Sequence, residues 1–215
     1  MTSAAIGRNY TLASDLLKLS NLYATLERST PEDWAEGLKW YNVAYDVATD
    51  LADTYGLPVD SAAGIIAALS PQQQWLVNID NAYAFCSSGG TKSVHFSHCV
   101  DKARRLFTDH SANPLDILGG PKVRSFYRNI AEPNTPGPVT IDRHAVAILY
   151  GSDTPSFLAN YPKLLDRKAI YRIATGFYRS AASAYSAHNG YTILPHQIQA
   201  VAWVTHRNTE FVEAF

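Results

Sequence analysis

Cysteine is nearly absent from this chain: Cys86 and Cys99 are the only two among 215 residues. Two thiols exclude a disulfide framework and a four-cysteine iron–sulfur cluster. His95 and His98 lie near them in sequence, but His98 and Cys99 are adjacent, and neither C-x-x-C nor H-x-x-x-H spacing occurs. No metal and no cofactor are therefore expected. Long apolar runs are also missing. Nothing approaches the roughly 18 residues of a membrane span, so no membrane partner is expected. The start, Met1–Ile6, has no basic stretch leading into an apolar one, which makes a cytoplasmic location the default expectation, and a compact single domain would suit a bacterial or phage-infected cell. Charge is sparse as well, at 17% of residues with a net of −1. That excludes a uniformly basic binder but leaves local patches open.

What is present is helical periodicity and an uneven distribution of charge. Residues 1–101 carry 5 Lys/Arg against 11 Asp/Glu, residues 102–179 carry 12 against 6, and the remainder 1 against 2. A middle segment at +6 inside a near-neutral chain has the footprint of phosphate contacts, or of a solvated helix face. The chain is 47% hydrophobic, enough for one domain spanning 1–215 with a real core. Apolar spacing predicts helices over Thr11–Glu27, from Pro31 to Tyr55, over Ser61–Leu69, Gln73–Phe85, Ser97–Thr108 and Pro114–Leu118, and from Pro121 to Ile130. Further helices are predicted over Arg143–Tyr150, Ser156–Asn160, Asp166–His188 and Pro195–Asn208. Thr30 reads as an N-cap with Pro31 behind it, Asp60 as the cap of the short apolar helix, and Asp142 as the cap of the helix from Arg143. Val139–Ile141 is the only strand-like stretch, too short for a sheet. The expectation is an all-α protein of eight to ten helices, monomeric and without internal repeats.

Two residues twenty apart stand out. Lys122 follows a Gly119-Gly120-Pro121 turn, and Asp142 opens a helix after Val139-Thr140-Ile141. Such a pair can set an amine and a carboxylate at two helix N-termini facing one cleft. An N-cap carboxylate is held ionised by backbone donors and by the helix dipole. It serves as a cap, and in a cleft it also stabilises an oxocarbenium-like sugar. A lysine at a helix start is repelled by the dipole, and Arg124 and Arg128 add to that field, which frees its amine to attack carbon. Otherwise it is a solvated or phosphate-binding lysine. Gly119 and Gly120 permit close backbone approach to a phosphate. The break Pro71-Gln72-Gln73-Gln74-Trp75 offers amides and an indole suited to probing nucleobases, or to opening a helix over a buried Trp.

Together these segments resemble the helix-hairpin-helix DNA glycosylases, the superfamily of endonuclease III and oxoguanine glycosylase. Ile65-Ile66-Ala67-Ala68-Leu69-Ser70-Pro71-Gln72, followed by Val77-Asn78 and Ala82–Phe85, is similar to the family's "L-S-x-Q" and "V-N-x-x-x-A" helix. Leu118–Val123 resembles the hairpin "L-P-G-V-G-x-K-V/T", and Ile141–Val146 the segment "V-D-x-H-V/I". The match covers residues 60–150 in the family's order. Leu118 stands where the hairpin's first glycine belongs, so the phosphate cradle is altered, and the cluster-ligating cysteines are missing.

The resemblance implies a helical fold in two halves around a cleft, and a duplex-DNA partner with a flipped or modified base. It gives Lys122 the role of nucleophile at C1′, Asp142 that of essential carboxylate, and Gln72 that of probe in the gap left by the flipped nucleotide. Lys102, Arg104, Arg105, Arg124 and Arg128 would contact phosphates, with Gln73, Trp75, Gly119, Gly120, Arg143 and His144 completing the DNA-binding set. The activity implied is that of a DNA glycosylase and abasic-site lyase. Alternatives on the same fold are a phage-type thymine hypermodification enzyme, which joins an amino acid or polyamine to an activated 5-hydroxymethyl group, and a non-catalytic reader of a modified base.

Overall fold

The computed structural model describes residues 16–151 and 168–212. Among them the protein is all-α, with ten helices in chain order: α1 Leu19–Arg28, α2 Pro31–Tyr55, α3 Val59–Leu69, α4 Trp75–Ser87, α5 Ser97–Thr108, α6 Pro114–Ile117, α7 Pro121–Ala131, α8 Arg143–Tyr150, α9 Lys168–Asn189 and α10 Pro195–Val212. No helix among the described residues is long and apolar enough to cross a membrane. The expected helix Ser156–Asn160 and the segment Thr11–Asp15 lie outside the described residues.

The chain divides into two compact units, Met1–Trp40 with Pro138–Phe215, and Tyr41–Gly137. The first unit contains α1, the start of α2, and α8 to α10. Its core gathers Leu22 and Leu26 of α1, Ala145–Leu149 of α8, Ile170, Ala174 and Tyr178 of α9, and Ile198, Val201 and Ala202 of α10. The start of α2 follows from a reciprocal cap. Asp33 N donates to Thr30 Oγ1 (3.2 Å) while Thr30 N donates to Asp33 Oδ2 (3.0 Å). Gly37 in this helix runs against α10, where a Cβ would lie 2.4 Å from Val201 Cα, so only glycine allows the approach. Val139–Ile141 is fully buried irregular chain. The Tyr171 hydroxyl donates to Val139 O (2.9 Å) and accepts from Ile141 N (3.3 Å), supplying the bonds a sheet would have given.

The second unit is built around α3. Every residue from Ser61 to Leu69 is buried, as expected of a helix apolar on all sides, and α4, α5, α6 and α7 pack on it. Gly64 admits α5 and α6 closely, since a Cβ there would meet Leu106 Cδ1 at 2.9 Å and Pro114 Cβ at 3.3 Å. Buried Asn78 of α4 donates to Ile66 O (3.1 Å), tying α4 to the central helix.

Three local expectations are corrected. The helix expected over Thr11–Glu27 is interrupted: Leu16 is helical, Leu17 and Lys18 leave helical geometry where Lys18 N donates to Leu149 O (2.8 Å), and the helix resumes as α1 at Leu19. Asp60 does not cap α3: Pro58 holds that position, and Asp60 accepts a hydrogen bond from the Tyr127 hydroxyl of α7 instead. Gln73 and Gln74 precede α4 rather than opening it, because the chain turns at Pro71–Gln72.

Candidate active site

Lys122 is presented by a helix–turn–helix hairpin whose geometry follows from its sequence. Asn113 caps α6 by accepting from Leu115 N (2.9 Å), with Pro114 behind it. The chain leaves α6 through Leu118 and Gly119 and enters α7 at Gly120, whose φ of 74° and ψ of 147° are closed to residues bearing a Cβ. Pro121 then fixes the first turn of α7. Lys122 is half-buried. Its ammonium donates to Ser70 Oγ (3.0 Å) and stands 5.1 Å from the Phe126 ring centroid. Ser70 gives its own hydroxyl proton to Ala67 O (2.9 Å), which leaves a lone pair for the lysine.

A second lysine sits at the same turn. A Cβ on Gly119 would lie 3.3 Å from Lys102 Nζ. Lys102 and Lys122 both draw down the Cys99 thiol electrostatically, yet burial is the larger effect and leaves its pKa raised. Cys99 is therefore a protonated, unreactive neighbour, 3.4 Å from His98 Nε2.

Beside the hairpin lies the Ser70–Trp75 turn. Gln73 N closes it on Ser70 O (3.3 Å), with Pro71 second and Gln72 third. Gln72 has a φ of +59° and is the only non-glycine residue with positive φ among the described residues. That is the type II pattern, which normally reserves its third position for glycine or asparagine. Gln72 is exposed, whereas Gln73 turns inward, its amide 2.9 Å from His95 Nδ1. Half-buried Trp75 packs edge-on against Phe126, centroids 6.3 Å apart. Leu76 and Phe96 are left 72% and 48% exposed. The hydrogen bond from Lys122 to Ser70 thus joins the Gln72 turn to the lysine hairpin, two segments fifty residues apart in sequence.

The expected phosphate contacts differ in availability. Arg104 is committed internally, its Nε donating to Gly90 O (3.1 Å) and its Nη1 paired with Asp101 (2.8 Å). Arg124 donates to Leu115 O (2.5 Å) and so braces the hairpin. Arg105 and Arg128 are exposed in the last turns of α5 and α7, where the helix dipole favours a cation.

Asp142 belongs to the first unit. It is the N-cap of α8, half-buried, with Oδ1 accepting from Ala145 N (2.8 Å). The wholly buried Tyr178 hydroxyl donates to Ala145 O (3.0 Å). Its phenol is pushed well up, by burial first and by the Asp142 charge second. Next to Asp142, exposed Arg143 donates to His144 Nε2 (3.2 Å). The His144 ring lies 5.5 Å from that of His206 and edge-on to Trp203 at 6.5 Å. Arg207 stands over Trp203 (5.9 Å), and Trp40 packs edge-on against the same residue with centroids 6.0 Å apart. Trp203, His206 and Arg207 were not singled out from sequence, although their three- and four-residue spacing marks one helix face.

No curated protein matches the chain, and no solved structure matches it. A family model described as a family of unknown function, DUF7178, matches residues 11–210. With the match covering almost the whole length, the chain belongs to the DUF7178 family.

Proposed function

We propose that this protein is a DNA base-processing enzyme of the helix-hairpin-helix glycosylase kind, acting as a glycosylase and lyase. The observation that carries the reading is the Lys122–Ser70 hydrogen bond (3.0 Å), which brings a hairpin-borne amine beside a strained, exposed glutamine. In this reading Gln72 fills the gap left by a flipped nucleotide. Neutral Lys122 attacks C1′ as the glycosidic C–N bond breaks, and its electron pair leaves with the base, which takes up a proton. The resemblance assigns Asp142, which belongs to the other unit, the stabilisation of the positive charge developing on the sugar. The amine then loses a proton, the C1′–O4′ bond breaks with O4′ taking up a proton, and the iminium so formed allows β-elimination of the 3′ phosphate. Lys102, Arg105 and Arg128 supply phosphate contacts, and Arg143 with the Trp203–Arg207 face adds a second basic surface.

A second reading keeps the fold and changes the reaction. It is favoured by two ammonium groups, Lys102 and Lys122, at one glycine turn. Such a pair suits a pyrophosphate leaving group on an activated 5-hydroxymethyl pyrimidine, with Asp142 as base on an incoming amine.

Borohydride trapping on duplexes carrying an abasic site or a modified base separates the two. A covalent adduct present with the wild type and lost in Lys122→Gln supports the lyase. Full trapping by Lys122→Gln refutes the lysine–C1′ step. Salt-sensitive binding with no adduct, and base gain rather than loss by nucleoside mass spectrometry, moves the assignment to base modification.

A further inference from the structure

We infer that His95 is a positioning residue for Gln72: its imidazole locks the Ser70–Gln73 turn in the one orientation that thrusts Gln72 outward. The role of Gln72 on DNA rests on the proposed function, whereas the lock itself does not. His95 grips both sides of Gln72. Its Nε2 lies 2.6 Å from Pro71 O and its Nδ1 lies 2.9 Å from Gln73 Nε2. A carbonyl only accepts and an amide nitrogen only donates. With the Gln73 amide oriented this way, the two contacts take the tautomer with the proton on Nε2. Phe96 packs on the same ring, centroids 4.4 Å apart, and holds it in place.

The contact with Pro71 O is what decides the turn. Type I and type II turns differ by a flip of the peptide between their second and third residues, which reverses the direction of the second carbonyl and changes the sign of φ at the third. Glutamine at the third position favours type I, because positive φ is costly for a residue with a Cβ. The observed φ of +59° goes against that preference. The Nε2–H of His95 captures Pro71 O only in the flipped, type II orientation, and the Gln73 amide fastens the other end. Without His95 the peptide is free to flip, Gln72 returns to negative φ, and its side chain leaves the direction it now takes. Ser70, which receives the Lys122 ammonium, starts the same turn.

The first test needs no DNA. A type II turn brings Pro71 Hα close to the Gln72 amide proton, and positive φ brings the Gln72 amide proton close to its own Hα. Both nuclear Overhauser effects are expected to be strong in the wild type and weak in His95→Ala. Unchanged intensities in that variant overturn the inference. Should His95→Ala not fold, Gln73→Met, which removes only the Nδ1 contact, is expected to weaken both signals, and unchanged signals there overturn it equally.

The second test uses 2-aminopurine fluorescence in a duplex. His95→Ala and Gln72→Ala are each expected to lower base opening on the order of tenfold, as loss of a positioned hydrogen-bonding group does. The salt slope of binding should be retained. Because His95 acts through Gln72, the double variant should be no worse than either single one. Losses that multiply in the double variant refute positioning. A wild type that neither opens DNA nor binds it in a salt-dependent way refutes the proposed function, while the Overhauser comparison still decides the lock.

Discussion

Replacing Gln72 by glycine should make the protein more stable and, on the proposed function, less able to act on DNA. The left-handed backbone at Gln72 costs a residue with a Cβ about 1–2 kcal/mol relative to an ordinary conformation. Glycine escapes that cost but loses about 0.4–1 kcal/mol through the greater freedom of its unfolded chain. Gln72 is exposed, and its side chain makes no hydrogen bond among the described residues, so truncation forfeits little contact. The net expectation is a gain between zero and about 1.6 kcal/mol, centred on about 0.8 kcal/mol, or a melting temperature higher by about 2–3 °C in a chain of this size. Urea unfolding followed by circular dichroism reads it directly, as a higher midpoint at unchanged slope. Gln72→Val provides the opposite sign, because a β-branched residue tolerates positive φ least. A midpoint that falls in Gln72→Gly, or does not rise above that of Gln72→Val, would refute the strain argument. With the side chain gone, base opening should fall even as stability rises, the trade expected where a protein holds strain for function.

Asp142→Asn should keep the α8 cap and stay within about 0.5 kcal/mol of wild type, whereas Asp142→Ala should lose about 1 kcal/mol. Base release falling equally in both variants would then separate charge from capping, and unchanged release in Asp142→Asn would remove the carboxylate from the mechanism. Gly37→Ala forces α2 off α10 at Val201 and should cost about 1–3 kcal/mol; a melting temperature equal to wild type would sink that account. Stability should also fall at alkaline pH. Burial pushes the Cys86 thiol up to about 12, and burial, then the hydrogen bond to Asp50, pushes Tyr83 up to about 12. In the unfolded chain these groups release their protons near pH 8.5 and 10. The folded state therefore binds more protons between those values and about 12, and stability is full below about pH 8.5 and declines above it. A urea midpoint that stays level from pH 8 to 11.5 would contradict this.

Much of the helical framework was legible because its signals are local. Thr30, Pro31 and Asp33 fix the start of α2 within four residues, Asn113-Pro114 starts α6, and Asp142 starts α8 by one side-chain bond. Where the reading failed, the deciding partner was far off in sequence. The break at Leu17–Lys18 answers to Leu149, and Asp60 abandons its cap for Tyr127. Tertiary bonds of that kind override local propensity and leave no periodic trace. The same holds at the candidate site. Gln72, Lys122 and Asp142 were visible as residue types at telling positions. His95 was not, since its partners lie 22 and 24 residues away, and the metal-ligand spacing for which it was weighed concerned other chemistry. Nor could sequence show that Arg104 spends its guanidinium on Gly90 and Asp101 while Arg105 remains exposed.

The case for a functional centre at the hairpin does not depend on family resemblance alone, because the local rules fail there together. Gln72 takes a backbone conformation that its side chain disfavours. Gly120 enters α7 through a region that only glycine tolerates. Lys122 places a cation at the positive end of a helix dipole, and Lys102 adds a second at the same turn. The conformation at Gln72 and the two lysines each cost stability, offset in part at Lys122 by the Ser70 hydrogen bond and the Phe126 ring. A purely structural helical protein would gain by relaxing each: glycine at 72, an apolar residue at 122, any neutral residue at 102. Outside this cluster the chain behaves conventionally, with α3 apolar on every side, reciprocal bonds at the start of α2, and a carboxylate capping α8. Sequences that specify one fold are consistent at all levels except where function demands otherwise. These features, joined by the bond from Lys122 to Ser70 and the contacts of His95, make Ser70–Gln73 and Gly119–Lys122 the candidate centre. On the proposed function, the ligand at this turn is anionic enough to meet two lysines and has room for an exposed amide beside them.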